Sequence, residues 1–150
     1  MSKKQLKQDY TYAVGRRREA VARVRLYSHM KDGQKWGEIS LKKGQIIVNE
    51  KPVEAYFPDK TARVAYQKPL LLTKTEDKFA ITVKVSGGGQ NGQLEAMIAG
   101  IARTLASTDR VKFRPLLKSA GLLTRDPRVR QRRNVGTGGK ARRKKQNPKR

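Results

Sequence analysis

The stretch FAITVKVSGGGQNGQLEAMIAGIARTLA, residues 79–106, changes its hydrophobic period at the centre. Phe79, Ile81, Val83 and Val85 alternate with Ala80, Thr82, Lys84 and Ser86, the period of two expected of a strand with one buried face over 79–86. Beyond three glycines, Leu94, Met97, Ile98, Ile101, Ala102 and Leu105 recur at helical spacing along one side. That spacing predicts an amphipathic helix over 92–106, with Asn91 placed to cap it. A strand, a glycine turn and a helix in direct succession fix the class as mixed, and the rest of the chain decides which kind.

Upstream, Ala20, Ala22, Val24 and Leu26 alternate with Val21, Arg23, Arg25 and Tyr27, predicting a strand with a basic outer face. Residues 45–49 predict another, ended by the turn Asn49-Glu50-Lys51-Pro52. Downstream, Arg114-Pro115 opens a shorter helix through Leu116, Leu117 and Ala120, with Pro115 in its first turn and Gly121 after its end. The strands precede the helices in this reading, which implies an α+β domain with helices packed on one sheet face.

Charge narrows the function. The 150 residues hold 36 Lys and Arg against 12 Asp and Glu, a net charge of +24. A small domain needs a charge of only ~2–8 to stay soluble, so the excess calls for a polyanionic partner. Cysteine is absent and His29 is the single histidine, which removes disulfides, iron–sulfur clusters and thiolate zinc sites. The start, MSKKQLKQDY, has no apolar leader segment, and no apolar run approaches a membrane span, so a soluble protein of a reducing compartment is expected. The charge is uneven: from Arg125 onward, twelve Lys and Arg face one acid, Asp126, and only Val129, Val135 and Ala141 are apolar. Such a segment cannot bury enough surface to fold alone. The expected organisation is a flexible start over 1–10, a globular domain over 11–124 and an extended basic tail over 125–150.

Four features bear on chemistry. Gly87-Gly88-Gly89-Gln90-Asn91-Gly92 matches G-x-G-x-x-G between a strand and a helix, where backbone N–H groups and a helix N-terminus suit a phosphate. A dinucleotide site also needs a following strand with a terminal acid, which is missing, so a nucleic-acid phosphate or a structural turn is favoured over a cofactor. Arg16, Arg17, Arg18, Arg23 and Arg25, with Glu19 the one acid among them, form a candidate phosphate-binding stripe, and a solvated face is the plain alternative. The basic clusters over 128–133 and 140–145 form a second set, comprising Arg128, Arg130, Arg132 and Arg133, then Lys140, Arg142, Arg143, Lys144 and Lys145. His29 and the scattered carboxylates make no catalytic or metal-binding constellation, and no cofactor is expected. Tyr56-Phe57 and Trp36 read as packing or loop anchors, since no aromatic lies within the tail.

The fourth feature is a set of motifs. LLTRDPR (122–128) and the ending KARRKKQNPKR follow, in order, YAVGRRREAVARVRL (12–26), IIVNEKPVEAYF (46–57) and VKVSGGGQNGQLEAMIAGIAR (83–103). Together they resemble the small-subunit ribosomal protein family numbered nine over about residues 10–150. The resemblance implies a helix after the strand at 46–49 and a ribosomal S-five domain-two-like α+β fold with a left-handed β-α-β crossover. It implies a non-catalytic protein bound to 16S-type rRNA in the small-subunit head beside other head proteins. Arg16, Arg17, Arg18, the loop Gly87, Gly88 and Gly89, and Arg125, Arg128, Arg132 and Arg133 match rRNA-contacting positions. Lys149 and Arg150 match residues that reach the anticodon arm of the peptidyl-site tRNA. Asn147-Pro148 stand where the family has an aromatic and a serine, and the loop over 28–44, with Trp36 near its middle, is longer than the family pattern.

Overall fold

The computed structural model describes residues 10–28, 35–36 and 39–136. Its strands are β1 (Thr11–Arg17), β2 (Ala20–Tyr27), β3 (Lys35–Trp36), β4 (Ile39–Ser40), β5 (Ile46–Val48), β6 (Lys51–Pro52) and β7 (Ala80–Ser86). The helices are α1 (Val53–Tyr56), α2 (Lys60–Thr73), α3 (Gln90–Thr108) and α4 (Phe113–Ser119). The main sheet runs β1-β2-β7-β5-β6 and is antiparallel except for β5 with β7. Asn49 prolongs that parallel pairing, accepting from the Val85 N–H at 2.8 Å and donating to the Val85 carbonyl at 3.0 Å.

Alternation sorts the two sheet faces. Ala20, Ala22, Val24, Leu26, Ile81, Val83, Val85, Ile46 and Val48 face the helices and join Phe57, Tyr66, Met97, Ile101, Leu105 and Leu117 in the main core. Fully burying one such large side chain contributes ~1.5–3 kcal/mol, enough for this core to set the fold. The out-of-phase residues Tyr27, Ile47 and Ala80 form a small cluster on the opposite face with Leu41, and Tyr10, Trp36 and Ile39 pack on it. The segment expected to be a plain loop over 28–44 thus carries the β3–β4 hairpin, whose Trp36 and Ile39 cover one end of that face.

Several elements differ from expectation. The helices are not gathered after the strands: α1 and α2 lie before β7, forming the crossover between parallel β5 and β7. α2 shows weakly in the sequence because its buried side is built from Ala62, Tyr66, Pro69, Leu70 and Thr73, a mixed set including a helix-breaking residue. β1 is a strand that the periodicity does not predict. Its inner positions, Ala13 and Gly15, are too small to register as an apolar stripe, yet Gly15 lies buried beneath α3. α3 begins two residues early, so Asn91 is not its cap; Gly89 takes that position without a side-chain hydrogen bond, and its carbonyl accepts from Gln93 N–H. At α4, Gly121 at φ 73° closes the helix as expected, with Gly121 N–H bonded to Lys118 O and Leu122 N–H to Leu117 O.

Candidate nucleic-acid interface

Two-residue turns place the basic residues. Arg17 pairs with Ala20, so Arg18 and Glu19 form the tip between β1 and β2, Arg18 at φ 50°. Pleating then separates the arginines that are consecutive in sequence. Arg16 is exposed with Arg23 and Arg25 on the helix-free face, where Arg25 sits 5.1 Å from the Tyr10 ring centroid. Lys84 joins them, directly opposite Arg23 across the β2–β7 ladder. The sequence offered Lys84 only as an outward position of its strand; that it faces Arg23 depends on a register visible only in the fold.

Arg17 points the other way. Its Nε donates to Glu95 on α3, its Nη2 lies 3.3 Å from the Asp126 carboxylate, and its Nη1 donates to the Arg128 carbonyl at 3.3 Å. Its side chain is 15% exposed, so this guanidinium is committed to fastening the start of the tail to β1 and α3. Asp126 is held in turn by Arg128, whose Nη2 donates to Oδ2 at 2.6 Å and whose backbone N–H donates to Oδ1 at 2.9 Å. These hydrogen bonds, with the nearby positive charges, lower the Asp126 pKa well below the ordinary carboxylate range.

Beside this clasp the glycine loop, the β1–β2 turn and the tail converge. A groove of about 770 Å³ is lined by Arg17, Arg18, Gly88, Gly89, the first turn of α3, Val129 and Arg130, with Glu19 and the Arg17-paired Glu95 as its carboxylates. Gly87 and Gly88 have φ of 73° and 63°, and a Cβ on Gly87 would come within 2.5 Å of the Glu19 carbonyl. Gln93 braces the loop, donating to the Gly87 carbonyl at 3.1 Å and accepting from the Tyr56 hydroxyl at 2.8 Å. Two of the three glycines therefore answer to the turn itself, while Gly89 has open space around it. No strand follows α3 among the described residues, so the dinucleotide context is not formed.

Past Leu123, the last side chain packed on the core, residues 124–134 form no helix or strand and are mostly exposed, Arg125, Arg130, Arg132 and Arg133 included. Lys140, Arg142, Arg143, Lys144, Lys145, Lys149 and Arg150 lie outside the described residues, as does His29. Arg103, Arg110 and Arg114 line a further groove beside Ala13 and Leu123 that the sequence did not single out, because α3 and α4 bring them together only in space. Among the described residues no cluster of acids or histidine is suited to a metal, and no helix is long and apolar enough to cross a membrane.

The family described as ribosomal protein S9/S16 matches residues 15–150. The chain belongs to that family. It is similar to the small ribosomal subunit protein uS9 of Maridesulfovibrio salexigens, 46% identical over 134 residues, covering 89% of this chain and 92% of the relative. As an S9-family member it is a structural, non-enzymatic constituent of the small ribosomal subunit that acts in translation. The open basic face and the clasped tail root are thus features of an RNA-binding ribosomal protein in the cytoplasm, with rRNA and small-subunit proteins as partners.

Proposed function

We propose that the protein binds 16S-type rRNA in the small-subunit head through three regions: the open sheet face, the groove at the glycine loop and the basic tail. In this reading Arg16, Arg23, Arg25 and Lys84 meet phosphates from the sheet, Arg18 and Arg130 do so at the start of α3, and Arg125, Arg132 and Arg133 continue the contact outward. Arg17 acts differently, positioning the tail through Glu95 and Asp126. The observation that carries the reading is the assignment of the carboxylates: Glu95 and Asp126 pair with Arg17 and Arg128, leaving the other tail arginines without an ion pair among the described residues. The β5–β7 crossover is of the left-handed, S-five domain-two-like kind. The far tail, through Lys140, Arg142, Arg143, Lys144 and Lys145, neutralises phosphates between RNA helices, and Lys149 and Arg150 reach the anticodon arm of the peptidyl-site tRNA.

The test is the salt dependence of rRNA binding. If about 6–10 phosphates are contacted, affinity falls ~10³–10⁵-fold between 50 and 200 mM salt, and truncation after Thr124 flattens that slope. An unchanged slope would place the contacts elsewhere. Deleting only Lys149 and Arg150 leaves subunit incorporation intact and speeds peptidyl-site tRNA release; equal release rates would remove the tRNA contact from the reading.

A further inference from the structure

Arg23 and Lys84 stand directly opposite each other on adjacent antiparallel strands, both exposed and neither in an ion pair among the described residues. Like charges at opposed positions destabilise a sheet, and an anion laid across both relieves the repulsion. The two line a groove of about 460 Å³ with Arg25, Thr82 and the half-buried Trp36, and Glu50 is its one carboxylate. That volume falls within the ~300–1,000 Å³ of pockets that take small organic groups. Asn49 also borders the groove but is committed to the Val85 backbone, so the polar groups left for a ligand are mostly cationic. Cations beside an aromatic side chain on an open sheet suit single-stranded RNA, whose bases are free to stack while phosphates meet the charges.

We propose that the groove between Trp36 and the opposed Arg23 and Lys84 binds an unstacked nucleobase of single-stranded RNA together with its flanking phosphates. The proposal rests on the rRNA reading and adds to it the kind of RNA this face selects. A base within a duplex has no free face to offer, so regular helices are excluded from the groove though not from the tail.

Trp36 is the single tryptophan of the chain, so its emission reports on this groove alone. The experiment titrates the full-length protein with a ten-nucleotide single-stranded oligoribonucleotide and with a duplex of equal length. Trp36 fluorescence is followed, and overall binding is read separately from the anisotropy of end-labelled RNA. Saturable quenching by the single strand and none by the duplex is expected. Trp36→Leu, checked by circular dichroism, lowers single-strand affinity about tenfold, Trp36→Phe restores most of it, and Arg23→Gln with Lys84→Gln weakens quenching without abolishing tail-driven binding. Binding by anisotropy with unchanged Trp36 emission overturns this proposal and leaves the rRNA reading standing. Failure to bind RNA by either readout overturns both.

Discussion

Gly15 of β1 and Gly100 of α3 meet where the strand passes beneath the helix: a Cβ on Gly100 would lie 3.3 Å from the Gly15 nitrogen, and one on Gly15 would lie 1.8 Å from the Ala96 carbonyl oxygen. The two absent side chains are what allow α3 to lie on β1. Gly15→Ala collides with helix backbone that cannot rotate away, and should destabilise the fold by about 3 kcal/mol or more. Gly100→Ala meets mainly the Val24 Cγ2 at 2.5 Å and gains ~1 kcal/mol of helix propensity, so its net cost should be smaller. Denaturant melts of both variants check the order; equal midpoints would show that α3 shifts freely over β1.

The glycine loop gives a second ordering. Gly87→Ala combines a left-handed backbone, costing ~1–2 kcal/mol in a residue with a Cβ, with a clash at the Glu19 carbonyl. Gly89→Ala meets nothing within 4 Å and has a negative φ. Thermal melts should separate the two clearly, with Gly89→Ala close to the parent. A large loss at Gly89 would point to a constraint other than its surroundings.

How much of this was legible follows from side-chain size and register. The strands at 20–27 and 80–86 and helix α3 showed because Val, Leu, Ile and Met mark their buried faces. β1 was hidden by the device that seats it, since a glycine under a helix leaves no apolar signal. α2 was hidden by Pro69 and by small or polar inner residues. The arginines were visible as a set, but the opposite directions of Arg16 and Arg17 depend on β1 being a strand, and the Arg23–Lys84 pair on a register between segments about sixty residues apart.

Tyr66 is 1% exposed, and its hydroxyl has no hydrogen-bond partner among the described residues. Burial raises its pKa, and the charge of Glu54 adds to that. A buried hydroxyl without a partner carries a desolvation cost of ~1–3 kcal/mol, so Tyr66→Phe should be neutral or stabilising. A loss above ~1 kcal/mol in a denaturant melt would show that the hydroxyl is satisfied in solution.

Asp126 supplies a pH dependence. Its folded pKa is depressed, chiefly by the Arg128 side-chain and backbone hydrogen bonds, so its contribution to holding the tail root is present above the ordinary carboxylate value. That contribution fades only as pH falls through the lowered folded value. The Asp126 carboxyl resonance, followed by NMR from pH 6 downward, should remain that of the ionised form through the ordinary carboxylate range. In Arg128→Gln it should titrate nearer the unperturbed position. Identical titrations in the two proteins would mean the Arg128 contact is not kept in solution.

The last prediction concerns what Arg17 does for the tail. Its guanidinium is largely shielded and touches three groups from two segments, Glu95 on α3 and the Asp126 carboxylate and Arg128 carbonyl at the tail root. Its partner Glu95 is more than half exposed, and an ion pair open to solvent on one side adds little to global stability, ~0–1 kcal/mol, so Arg17→Gln should melt near the parent. Its effect should be local, because beyond Leu123, the last side chain packed on the core, the tail root has few other attachments. Trypsin should cut after Arg125 and Arg128 severalfold faster in Arg17→Gln, while sites within β2 and α3 stay protected. Arg17→Lys keeps the charge but loses the forked geometry needed to serve three partners, and should fall between the two. If Arg17 instead acts mainly as a phosphate contact, free-protein cleavage will be unchanged and only rRNA affinity will drop, which would return Arg17 to the binding surface.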